Sequence, residues 1–162
     1  MNELNLIYFA GFIDGEGCIS TFSFKAYGKR AHNTRSRQLI SLSATNVNRQ
    51  VLDDLQSTFG GYVCLHSFPI GNRKECWRWY IRSKKASEAI KALLPYLRIK
   101  RKQAELCLEY QDTLVESSII RQGTTAPNSP HRFVDNIVKP EILAKRNLIV
   151  NELRLLNKRG KA

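Results

Sequence analysis

Residues 4–18 read LNLIYFAGFIDGEGC, and the organisation of the chain follows from them. Leu4, Ile7, Tyr8, Gly11 and Phe12 recur at the 3.6-residue period of an amphipathic helix. Ala10 and Gly11 set two very small residues side by side on that helix. A glycine inside a helix costs about 1 kcal/mol relative to alanine. Close approach of another backbone is the usual compensation. Asp14-Gly15 predicts the helix end, because glycine suits the left-handed residue just past a helix. Glu16 follows at once, and Gly17 lets the chain turn into the extended run Cys18-Ile19-Ser20-Thr21-Phe22-Ser23-Phe24.

The negative end of a helix dipole is an unfavourable place for carboxylates. A second copy of the helix packed against the first brings two such groups together, and like charges in a partly desolvated site repel strongly. Divalent cations relieve that repulsion, and ligation by oxygen alone suits Mg2+ or Ca2+. The same residues also read as an ordinary glycine turn shaped by its acids.

The 162-residue length fits one domain, 1–162, with a core large enough to fold alone. Lys and Arg number 26 against 14 Asp and Glu, a net charge of +12, which implies a polyanionic partner and nucleic acid first. Between Glu16 and Asp53 there is no acid, yet Lys25, Lys29, Arg30, Arg35, Arg37 and Arg49 lie there. Cys18, Cys64, Cys76 and Cys107 form no CxxC pair, which fits reduced core or strand residues. Cys64, His66 and Cys76 offer a loose zinc spacing as a rival reading. Without a signal-like start or an apolar span, the chain is expected to be soluble and intracellular, with no membrane partner. Organelle and prokaryotic cytoplasm are not distinguished.

Outward from the opening stretch, residues 18–26 and 35–45 read as two strands around a polar tip. Leu42 and either Leu39 or Ile40 are expected against the helices, with Arg35, Arg37, Ser41 and Ser43 outward. In the first strand Phe22 and Phe24 look like core, although Ile19 then fits only with a bulge; a one-residue slip swaps the faces. A helix is predicted over 50–59, ended by Gly60-Gly61, then strands over 62–68 and 75–82. Trp77, Trp79 and Ile81 share one face of the last strand, and Arg78, Tyr80 and Arg82 the other. Ser83 is expected to cap a helix that Pro95 stops. Further helices are expected over 103–115 and 140–157, with a loop at 121–131.

FAGFIDGEG, residues 9–17, resembles the LAGLIDADG motif of homing endonucleases, with Phe9 for the leading Leu and Glu16 for the second acid. That resemblance implies an α+β chain of αββαββα order, whose four-stranded antiparallel sheet forms a saddle that fits the major groove. Only one copy of the motif occurs, which the resemblance couples to a C2 homodimer with Ala10, Gly11 and Asp14 at the interface. The implied activity is site-specific hydrolysis of double-stranded DNA at a long pseudo-palindromic target, as encoded by mobile introns. Mg2+ is the implied cofactor, and Ca2+ would occupy the site without supporting cleavage. Glu16 and the Gly15 carbonyl are the implied metal ligands. PYLRIKRKQA, residues 95–104, resembles the PxLxxKxxQ region of the family, which places Lys100 beside the scissile phosphate and makes Gln103 structural. Asn46 either orients solvent around the metal or caps a helix. Ser20, Lys25, Lys29, Arg30, Arg35, Arg37, Ser41, Ser43, His66, Arg73, Arg78, Tyr80 and Arg82 form the expected DNA-binding set. The alternative is a non-cleaving relative, an intron RNA maturase or a DNA-binding regulator, with intron RNA as a further partner.

Overall fold

A computed structural model describes residues 2–25, 36–115, 119–124 and 133–158. The chain runs α1 (Glu3–Glu16), β1 (Gly17–Lys25), β2 (Ser36–Asn46), α2 (Arg49–Phe59), β3 (Tyr62–Ser67), β4 (Cys76–Arg82) and α3 (Ser83–Leu93). After these come α4 (Arg101–Val115), β5 (Ile119–Thr124), β6 (Phe133–Val138) and α5 (Pro140–Leu156). The αββαββα order is therefore present. β1 to β4 form one antiparallel sheet in the order β1-β2-β4-β3.

Side-chain alternation divides that sheet into two unlike faces. Across one face run Ile19 opposite Leu42, Leu42 opposite Ile81, and Ala44 opposite Trp79, all buried. The helices close over them with Phe9, Ile13, Leu52, Leu55, Ile90, Leu93 and Cys107, and α5 joins the same core through Ile149, Val150 and Leu153. Asn157, just past α5, donates from Nδ2 to the Ile19 carbonyl at 2.9 Å and fastens that helix to β1. Among the described residues no helix covers the other face, where Phe22, Tyr62 and Arg82 are exposed. Among the described residues, no helix is long and apolar enough to cross a membrane.

Several expectations are corrected. α1 continues through Asp14 and Gly15 and stops at Gly17, whose φ of −83° is extended rather than left-handed. Glycine is required there by close approach: a Cβ on Gly17 would lie 2.6 Å from the Ile13 carbonyl oxygen. In β1 the core residue is Ile19, so Phe22, an odd number of residues away, lies on the open face. Ile40, not Leu39, joins Leu42 in the core. Ser83 does not cap α3: it has φ of +56°, Arg82 precedes the helix, and no side chain caps it. Residues 119–124 and 133–138 pair as a second, two-stranded sheet where a loop over 121–131 was expected. The predicted hairpin tip, with Lys29, Arg30 and Arg35, lies outside the described residues.

The apolar face of α1 read from the sequence divides in the structure: Phe12 packs against the core, and the rest of that face lies outward. Phe9, Ala10, Ile13 and Asp14 point inward, whereas Leu4, Ile7 and Tyr8 are 70%, 48% and 58% exposed, and Gly11 is exposed with them. A helix apolar on all sides is normally buried on all sides. One chain covers half of this one.

Candidate active site

The foot of α1 is tied to the loop before α4 by a reciprocal latch. The Asp14 carboxylate accepts the Arg98 amide at 2.7 Å and the Lys100 amide at 2.9 Å. Lys100 returns its Nζ to the carbonyls of Ile13, at 3.0 Å, and of Asp14. The last carbonyls of a helix lack intrahelical partners, and a cation is favoured at that end of the dipole. Pro95 prevents α3 from running on, so residues 95–100 bend back across α1 and deliver these groups.

Burial alone pushes the Asp14 carboxyl up. The amides of Arg98, Lys100 and Ile99, with the Lys100 charge, outweigh that and hold it below the usual carboxylate range. A carboxyl depressed on folding adds stability above its unfolded pKa and loses it as pH falls. Asp14→Ala is accordingly expected to cost about 2–4 kcal/mol at pH 7, from two bonds to a charged acceptor. The difference from the parent should shrink below about pH 4, as read by urea unfolding across pH.

Glu16 occupies the last residue of α1, exposed, and makes no ion pair among the described residues. Its carboxylate and the Gly15 carbonyl are hard oxygen donors of the kind Mg2+ and Ca2+ take. A single chain supplies too few of them. Among the described residues no three His, Cys, Asp or Glu gather as a metal group, and Cys64, His66 and Cys76 are no exception. The donor set fits a hard cation only if water, phosphate or a second chain completes it.

Small residues near this foot differ in what they need. A Cβ on Gly11 or Gly15 would meet nothing within 4 Å, in contrast to Gly17. Nothing described in the chain thus requires glycine at 11 or 15. Within one chain Ala10 is fully buried and Asp14 nearly so, and Gly11 alone of the three lies on the outer face. Asn46 accepts the Asn48 amide at 2.8 Å through Oδ1, shaping the turn into α2, whose N-cap is Asn48.

The open face of the sheet is the second part of the site. Cys18, Ser20 and Phe22 of β1, Leu39, Ser41, Ser43 and Thr45 of β2, Arg78, Tyr80 and Arg82 of β4, and Tyr62 and Cys64 of β3 share it. None of the four strands contains an Asp or Glu. Ser43 lies buried on that face, and its Oγ accepts Arg78 Nη2 at 3.3 Å, so it positions Arg78. His66 and Arg73 are exposed towards the β3–β4 turn, and Ser20 is half-buried. Lys25 and Arg37 lie on β1 and β2. Phe22, Tyr62 and Thr45 were missed. The three-residue spacing of Ile19 and Phe22, which places them on opposite faces, was the available signal.

The profile of the family described as LAGLIDADG endonuclease matches residues 9–112. The chain belongs to that family. This LAGLIDADG endonuclease family member has no match among curated proteins. Among solved structures it is similar to the homing endonuclease I-CvuI, at 21% identity and a TM-score of 0.68, over 99% of this chain and 86% of that one. The archaeal intron-encoded homing endonuclease I-Vdi141I, solved with DNA, aligns at 16% identity and a TM-score of 0.65, over 98% and 87%. I-SmaMI, solved with cleaved DNA, aligns at 12% identity and 0.61, over 94% of this chain but 45% of its own length. At these identities the likeness concerns the fold. The LAGLIDADG chain spans most of the length of the first two relatives and about half that of the third.

Proposed function

We propose that the chain is a site-specific double-strand DNA endonuclease that acts as a C2 homodimer on a pseudo-palindromic target. The observation that carries this reading is α1 itself, with an outer apolar face uncovered by the described residues and, at its foot, a Glu16 that makes no ion pair among them. Packing two α1 helices through Leu4, Ile7, Tyr8 and Gly11 covers those faces and brings two Glu16 carboxylates together. The acid-free open sheets of both chains then form one continuous surface for the major groove on either side of the two-fold axis. I-CvuI has been solved with its target in the presence of Ca2+, and with another target, uncleaved, in the presence of Mg2+. Those complexes support the choice of partner and of a hard divalent ion.

In this reading Glu16 and the Gly15 carbonyl hold the cation. When bound, it acts as a Lewis acid on the phosphoryl oxygen and lowers the pKa of a water. Asp14 and Lys100 keep the foot of α1 in place, so that both Glu16 groups meet the scissile phosphates in a fixed position. Lys100 also puts a positive charge beside that phosphate, where it stabilises the pentavalent oxyanion or polarises water. Asn46, whose Oδ1 accepts the Asn48 amide, is assigned here to the turn into α2 rather than to this chemistry. One observation favours a non-cleaving duplex binder as the second reading: the Lys100 ammonium is already engaged by two α1 carbonyls.

Incubation of the purified chain with a randomised duplex library separates the two readings. With Mg2+ the cleaved fraction should converge on one palindromic sequence, with Ca2+ the same sequence should be bound intact, and chelation should stop cleavage. Convergence of the bound fraction with no cleavage in Mg2+ would establish the binder.

A further inference from the structure

Arg82, at the end of β4, does not reach for the rim of the sheet. Its guanidinium carbon lies 4.0 Å from the ring centre of Phe22 and 4.7 Å from that of Tyr80. Phe22 is on β1, and β2 separates β1 from β4, so the side chain crosses the open face and sets its charge over β2. The crossing is unobstructed because Ser41 stands opposite Arg82, and Ser20 opposite Ser41. Tyr80 is braced in turn by Tyr62, ring centre to ring centre 5.7 Å. No carboxylate pairs with Arg82 among the described residues, whereas Arg49 and Arg101 are neutralised by Asp53 and Glu105.

Aromatic rings against a guanidinium fix its plane and leave the in-plane fork of N–H donors outward. That fork matches two coplanar acceptors, either O6 and N7 of guanine or two phosphate oxygens. Placement decides between them. Phosphates border the groove and meet the rim of a sheet lying in it, while the base edges face its middle. A charge drawn inward over β2 faces the bases.

We propose that Arg82 reads one guanine in each half-site, its guanidinium held ready by Phe22 and Tyr80. This rests on the duplex-binding reading above and adds a base to it. A bidentate contact of this kind discriminates by about five- to a hundred-fold per half-site.

The test is enrichment of bound sequences from the randomised library in Ca2+, by the parent chain and by Arg82→Ala, Arg82→Lys and Phe22→Leu, with thermal unfolding of each as a check of folding. The parent should prefer G·C by that factor at one symmetry-related pair of positions. Arg82→Ala and Arg82→Lys should flatten that pair and leave the others, and Phe22→Leu should weaken it by less. An unchanged preference in Arg82→Ala overturns the assignment, as does a uniform loss of affinity with a shallower salt dependence, which marks a phosphate contact. If the parent enriches no sequence, the duplex-binding reading fails and takes the assignment with it.

Discussion

Glu16→Gln should bind the selected duplex as tightly as the parent and cleave it about a thousand-fold more slowly or not at all. The amide keeps the size and exposure of the side chain, so folding is unaffected: Glu16 has no partner inside the described chain to lose. What changes is the charge at the foot of α1. A neutral oxygen there holds a hard cation weakly, and the Lewis-acid and water-activating contributions, several kcal/mol together, go with it. Removing two adjacent anions also takes repulsion out of the dimer, so binding is the property least expected to suffer. Gel-shift titration in Ca2+ beside single-turnover cleavage in Mg2+ reads both quantities. Normal cleavage by this variant would place the chemistry elsewhere.

Gly11→Leu should have the second large effect, and the opposite sign in monomer and dimer. Within one chain a Cβ at this position meets nothing described, and leucine is the better helix former by about 1 kcal/mol. The isolated chain should therefore unfold at the same urea concentration or a higher one. Across a two-fold axis two leucines must enter a backbone contact made for glycine. Overpacking costs about 1–3 kcal/mol at each, so dimer dissociation should rise by roughly thirty-fold or more. Cleavage should vanish with it. Light scattering as a function of concentration reports the shift. A variant as dimeric as the parent would mean that α1 is covered by something other than its twin.

Features set by neighbours along the chain were legible before the structure was known. The glycines, the acids and the extended run after them identified the end of α1 and the start of β1 to within two residues. The acid-free strands announced the basic face. What misled was geometry that depends on distant residues. The helix runs past Gly15 because Asp14 is anchored by amides some 84 to 86 residues away and Lys100 caps its carbonyls, which no local rule anticipates. Periodicity assigned Leu4, Ile7, Tyr8 and Gly11 to a buried face without saying in which chain. It also left open the side of Ala10, whose inward direction is fixed by packing beside Phe9 and Ile13. The register of β1 turned on Ile19, and Phe22 was drawn to the open face, where Arg82 shields its ring. β5 and β6 escaped notice because turn formers between them resemble a long loop.

The claim beneath all of this is that one chain is half of a site. The mass of the complex with the selected palindromic duplex, measured in solution in Ca2+, tests it most directly. Two chains per duplex, with the free protein dimeric at the same concentration, is the predicted result. A single chain bound to one duplex would leave the α1 face uncovered and Glu16 without its twin, and would contradict the account.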